Sequence, residues 1–268
     1  MPTPIEILLA PESFIIYAMY GGLMLWEAFL PARKLPTVKA WTFKGLFTFT
    51  CFFYLSTYLP MLWDQYLATY QLFDLSNLGL TTATIIGVLV YEFGVYGWHR
   101  SMHKFNILWR STHQMHHSSE RVDSVSAFWF SPLDMIGWVI LGSLTLVVVV
   151  GLDAKATTLV IYITTFLAIY THTNVKTPYW TGFIIQRPEA HRVHHAKNVH
   201  AKNYSEIVLF DMLFGTFVNP KEDIKETGFY QGASSRVIDM LLFKDISNTP
   251  HNEDVIVNQQ TKALTAKA

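Results

Sequence analysis

Apolar residues gather into long unbroken runs rather than alternating with polar ones. Four runs reach spanning length, roughly Phe14 to Leu30, Gly45 to Trp63, Leu78 to Trp98 and Met135 to Gly151. A fifth, Ala156 to Thr171, falls slightly short of the ~17 residues that a crossing usually needs. The pattern predicts an all-α membrane protein with four to five transmembrane helices. The last pair, joined by Gly151-Leu152-Asp153-Ala154-Lys155, fits two crossings or a re-entrant hairpin. The first run follows Glu6 and Glu12 with no Lys or Arg and no small-residue cleavage site, so it reads as an uncleaved span rather than a signal peptide. Two shorter apolar stretches, Ala127 to Pro132 and Tyr179 to Ile185, are expected to lie in the membrane interface.

Charge sets the expected orientation. Arg33, Lys34, Lys39 and Lys44 follow the first run, the next loop holds Asp64 and Asp74, and the third run leads into Arg100, Lys104, Arg110 and Arg121. With the N-terminus outside and five crossings, 19 of 20 basic residues fall on the cytoplasmic side, Lys155 being the exception. The positive-inside rule selects that arrangement. Composition agrees: 51% of the residues are hydrophobic and only 15% charged, against ~25% charged in soluble domains. The 20 basic and 20 acidic residues balance, which leaves no net field for nucleic acid. The single cysteine, Cys51, excludes an intrachain disulfide, a CxxC redox motif and a thiolate zinc site.

The histidines carry the chemistry. His99-Arg-Ser-Met-His103 has i, i+4 spacing, and both His113-Gln-Met-His116-His117 and His191-Arg-Val-His194-His195 have i, i+3, i+4 spacing. On a helix these offsets are expected to place imidazoles on one face, about a turn apart. Helix stability does not ask for this, whereas metal chelation does, neutral imidazole being a ligand for iron, copper, zinc and nickel. The topology returns the chain to the same membrane face at His172, so His99, His103, His113, His116, His117, His172, His191, His194 and His195 are expected to meet as metal ligands in one cytoplasmic helical cap. That is more than a single ion can use. His200 is a weaker candidate and His251 is expected to take no part. Glu92 lies seven residues before His99, two turns below it within a span, where a carboxylate is costly and needs a partner. It is expected to support the metal site from behind or to pair with a Ser, Thr or Arg. Arg100 and Arg192 read as interfacial charge.

In this order the motifs, with His172-Thr-Asn174 between the second and third, resemble the fatty acid hydroxylase/sterol desaturase superfamily of integral-membrane, non-haem di-iron oxidases. Lys202-Asn203-Tyr204-Ser205 leading to Asp211-Met-Leu-Phe-Gly215-Thr216 adds to the likeness, although many relatives carry Gly where Ser205 stands and Trp where Phe210 stands. The resemblance covers about residues 78 to 218. It implies two iron ions, O2 as co-substrate, and oxidation of an unactivated C–H bond in a membrane lipid, most readily hydroxylation, with desaturation at the same centre as the alternative. No GxGxxG fingerprint, cysteine cluster or cytochrome b5-like segment is present, so electrons are expected from a separate protein. A His-rich membrane metal-binding or transport protein is the reading from another class, but transport would place ligands along a path within the spans. The expected organisation is N-terminal transmembrane helices over 1–77, a hydroxylase-like catalytic region over 78–218 and a polar C-terminal tail over 219–268, fraying from about Lys244. The expected location is a bacterial inner membrane.

Overall fold

A computed structural model describes residues 1–199 and 201–248, so His200 and His251 lie outside the described residues. Among these the regular structure is helical, with only two isolated antiparallel bridges, Ile185 with Ile207 and Ala196 with Thr227. The helices are α1 (Pro4–Leu8), α2 (Pro11–Phe29), α3 (Trp41–Leu67), α4 (Leu80–Lys104), α5 (Asn106–Leu108), α6 (Gln114–His117), α7 (Pro132–Gly142), α8 (Ala154–His172), α9 (Pro188–His194), α10 (Leu209–Leu213) and α11 (Val237–Leu241). A π-helical turn, Trp109–His113, leads into α6, and a second, Ser143–Val149, prolongs α7.

Local chemistry starts these helices. Ser131 caps α7 by accepting the Asp134 N–H at 3.2 Å, with Pro132 in the first turn, and Asp153 caps α8 by accepting the N–H groups of Lys155 and Ala156 at 2.7 and 3.1 Å. Each cap satisfies backbone donors that the helix cannot.

Four helices are long and apolar enough to cross a membrane: Trp41–Tyr70, Leu80–Lys104, Pro132–Val149 and Ala154–His172. Only 17–39% of their apolar windows is buried in the protein. Exposed Phe47, Leu62, Ile85, Phe93 and Ile163 therefore form a surface suited to lipid. The expected first span is helical but not among the four. α2 carries Glu12 and Glu27, and Tyr162, midway along α8, donates to the Glu12 carbonyl at 3.3 Å. It thus begins alongside the middle of α8 and pairs with the half of α8 that ends at His172. Glu27, near its end, accepts from Ser124 N–H and Oγ at 2.8 and 2.7 Å and from Asn174 N–H at 3.1 Å.

The crossings place α4 and α8 side by side, each ending in histidine at the same end of the bundle. Gly45 lets α3 approach the turn at Val125, where a Cβ would stand 2.5 Å from the Val125 carbonyl oxygen. Over this end lies a cap of Trp41, Trp109, Met115, Val125, Trp129, Phe229, Met240 and Ile246. Two expectations change here. Ala127, Phe128, Trp129 and Phe130 are buried inside the protein, whereas Tyr179, Trp180, Phe183 and Ile184 are exposed as an interfacial segment would be. Residues 219–248, read as a polar tail, fold onto the cap. Gln114 donates to the Lys244 carbonyl at 2.9 Å, and Ile246 is fully buried. Their apolar residues come in short groups, the longest being Val237 to Phe243 interrupted by Asp239, too short for a span, so a search for spanning runs passes over them.

Candidate metal centre

The structure brings the nine histidines into two groups. His99, His103, His113, His117 and His194 form one, and His116, His172, His191 and His195 the other, with the ligand-capable atoms of each group within 4.8 Å of one another. The two i, i+3, i+4 motifs are each divided between the groups. His113 and His117 enter the first and His116 the second, while His191 and His195 enter the second and His194 the first. Helix geometry explains the division. At 100° per residue, positions i and i+4 point within about 40° of each other, while i+3 and i+4 diverge by about 100°. The motifs do not present one face, as their spacing first suggests; each presents two and ties the groups together.

Five rings have their Nδ1 anchored by an acceptor. His99 donates to the Tyr204 carbonyl at 2.7 Å, His172 to the Ala168 carbonyl at 2.7 Å and His194 to the Lys202 carbonyl at 2.7 Å. His113 donates to Asp134 Oδ2 at 3.1 Å and His191 to Gln186 Oε1 at 2.5 Å. An Nδ1–H on a neutral ring leaves a lone pair on Nε2. Yet the Nε2 atoms of His99 and His113 are 2.9 Å apart, and those of His172 and His191 3.0 Å. Two lone pairs at that distance repel. Protonation is a poor escape, since burial and the neighbouring imidazoles push His113 and His191 well below the ordinary imidazole range. His116, His117 and His195 shift in the same direction for the same reasons. A cation between the nitrogens resolves the conflict. Two imidazole nitrogens each about 2.1 Å from one ion, roughly at a right angle, lie about 3 Å apart. The same spacing, 3.1 Å, separates Nε2 of His116 from that of His172 and Nε2 of His195 from that of His191. The donor set therefore fits metal ions.

Residues 84–216, which contain all nine histidines, match the fatty acid hydroxylase family profile. The chain belongs to the fatty acid hydroxylase superfamily. It is 34% identical over 142 residues to the ornithine lipid hydroxylase OlsE of Rhizobium tropici, covering 51% of this chain and 42% of that protein. Alkylglycerol monooxygenases of Danio rerio and Homo sapiens are 33% and 31% identical over 143 and 138 residues, covering 52% and 50% of this chain but 31% and 30% of their own. The chain thus spans less than half the length of these relatives. No solved structure matches it.

In this fatty acid hydroxylase relative, the segment after the last histidine motif is a bracket for the rings. Asp211 accepts the N–H groups of Tyr204 and Ser205 at 2.9 Å each and the Thr216 hydroxyl at 2.6 Å. Asn203, at a left-handed φ of 49°, donates to the Ala190 and Val218 carbonyls. The bracket fixes the Lys202 and Tyr204 carbonyls that hold His194 and His99. Gln186 extends it, donating to the Asn203 and Ser205 carbonyls at 3.0 and 2.7 Å while its oxygen holds His191. Glu92 is fully buried and accepts the Ser205 hydroxyl at 2.9 Å and the Ile207 N–H at 3.1 Å. Its partners thus lie in the bracket, Ser205 among them. Arg192, read as interfacial charge, is fully buried, paired to both Asp223 oxygens at 2.8 Å and donating to the Thr173 carbonyl at 2.9 Å. Arg100 instead binds the Tyr96 hydroxyl at 2.6 Å at the rim.

Sequence reasoning missed Asp134 and Gln186. Asp134 looks like an ordinary first-turn residue after the Ser131 cap, and Gln186 belongs to no periodic pattern. A further feature is a cavity of about 360 Å³ that meets His99, His113, His116, His172 and His191 at one end. It runs between α3 and α8 past Phe52, Phe130 and Ile161 to Thr157 and Asp64. Fifteen residues of α8 separate Thr157 from His172, a length of about 22 Å. Glu206 lies on its wall, and burial and the neighbouring Glu92 carboxylate push its carboxyl well above the usual range.

Proposed function

We propose that this chain carries the catalytic centre of an O2-dependent membrane-lipid hydroxylase. Two iron ions are held by the two imidazole groups, and a separate protein supplies electrons. The observation that carries this reading is the pair of facing Nε2 lone pairs at the mouth of an apolar cavity among membrane helices. His99, His103, His113, His117 and His194 would hold one ion, and His116, His172, His191 and His195 the other. Bound iron supplies the oxidant that a saturated C–H bond requires, since such a bond offers no acid–base handle to a side chain. The residues of this chain do the rest. Phe52, Phe130 and Ile161 bind a hydrocarbon chain by burying it, and the cavity's length aligns that chain so that one segment of it faces the imidazoles. The substrate class is supported by the ornithine lipid hydroxylase and alkylglycerol monooxygenases that the chain resembles.

Metal analysis of the purified protein tests the centre. About two iron ions per chain are expected from two groups that each offer enough imidazoles for an ion. His116→Ala and His194→Ala, one from each group, should each lower the metal content and abolish lipid oxidation. A fully active preparation with one ion or fewer per chain contradicts the dinuclear reading. A lipid product that loses two hydrogens and gains no oxygen moves the assignment to desaturation.

A further inference from the structure

At the histidine end of the bundle lies a second, surface bowl of about 720 Å³. Its rim carries Arg33, Lys34, Lys39, Lys197 and Lys225, contributed by three separate stretches of chain. Two carboxylates share it, and both are engaged: Glu120 accepts the N–H groups of Gly232 and Ser234 at 2.8 and 3.2 Å, and Glu226 pairs with Lys197 at 3.5 Å. Among the described residues Lys34, Lys39 and Lys225 have no acidic group within salt-bridge distance. In a chain whose charges sum to zero, this is a local positive field directed at solvent.

The floor of the bowl leads to the imidazoles. Phe229 lines it while being itself buried. Its ring lies 6.0 Å from that of Trp109, and Trp109 lies 5.1 Å from His103 and 5.2 Å from His117. Three ring contacts therefore join the positive surface to the five-histidine group. Cations spread over three segments around so wide a bowl do not converge on one small anion; they match an extended acidic surface.

We infer that the bowl bounded by Lys34, Lys39 and Lys225 docks an acidic one-electron carrier protein, and that the Phe229 and Trp109 rings fill the gap across which its electron tunnels to the five-histidine group. The inference rests on the oxidase reading above. At each docking the carrier is oxidised by one electron and the ion held by the histidines is reduced by one. Two dockings deliver the two electrons that, with two protons, convert one oxygen atom of O2 to water while the other enters the C–H bond.

The test uses the iron-loaded protein in nanodiscs of zwitterionic lipid and, as probe, a plant-type ferredoxin, an acidic [2Fe–2S] protein. Binding is read at low and high salt, and anaerobic reduction of the iron is followed with reduced ferredoxin or with dithionite. The combined variant Lys34→Glu/Lys39→Glu/Lys225→Glu should weaken salt-sensitive ferredoxin binding and slow ferredoxin-driven reduction by on the order of tenfold or more. Its metal content and dithionite reduction should match those of the wild type. Phe229→Leu should leave binding intact and slow only the ferredoxin-driven step. Unchanged binding and reduction in the charge-reversed variant would overturn the proposal. So would wild-type binding that ignores salt, or a variant whose only defect is lost adhesion to phosphatidylglycerol vesicles, which would make the bowl a lipid-facing surface. The binding arm needs no iron. Failure of dithionite to reduce the centre would therefore count against the oxidase reading, while docking is judged by ferredoxin binding alone.

Discussion

Asp134 is the one carboxylate whose oxygen meets a ring nitrogen of the nine histidines among the described residues, at His113 Nδ1. A ligand imidazole bonded in this way keeps its tautomer and orientation, and losing such a partner typically costs 10–100-fold in metal affinity. Asp134→Asn keeps the shape and removes the charge, so metal titration of this variant should show a loss in that range. Glu92→Gln, whose contacts run to Ser205 and Ile207, should change metal affinity less. Equal effects of the two substitutions would contradict the assignment of Asp134 as the carboxylate behind the site. At this scale the gathering of the nine histidines is legible in the sequence because histidine is rare and its spacing unusual. The groups behind it are not. Asp134 has a second plausible use as a helix-start residue, Gln186 has no spacing to mark it, and the Lys202, Tyr204 and Ala168 carbonyls carry no signature of residue type at all.

At the scale of elements, the bracket from Lys202 to Thr216 explains why a stretch without histidine accompanies the ligand motifs. Asp211 holds it with three accepted hydrogen bonds. Asp211→Ala strands two buried N–H groups, each costing about 1–3 kcal/mol, and frees the carbonyls that orient His99 and His194. The variant should melt earlier and bind metal more weakly, although every histidine remains. Thermal unfolding together with metal titration checks this; full metal affinity in a variant that still folds would show that the bracket does not position the rings. The spans are readable because an apolar run of some twenty residues leaves a helix no polar face to turn towards water. α2 misleads because its Glu27, which binds Ser124 and Asn174, sits at the end of a run that otherwise resembles a span. The division of each three-histidine motif between two groups is implicit in helical geometry, but only the neighbouring rings reveal it.

For the whole molecule, four crossings put the loops around Lys39 and Arg121 on the histidine side and those around Asp74 and Asp153 on the other. The basic residues favour the cytoplasm for the histidine side. Reporters fused after Lys39 and Arg121 should therefore read cytoplasmic, and those after Asp74 and Lys155 the opposite. A reporter after Arg121 that shares its side with one after Asp74 would contradict the common histidine layer. The cavity between α3 and α8 extends from that layer towards the other face, so a lipid chain drawn from the bilayer can lie along the helices with one segment at the imidazoles. Whether this layer uses O2 to hydroxylate such a chain is decided with heavy-isotope dioxygen. Membranes containing the protein, supplied with a reductant and an electron carrier, should yield a lipid whose new hydroxyl carries the isotope from the gas. A hydroxyl that takes its oxygen from water, or equal turnover without O2 and reductant, would contradict the hydroxylase reading.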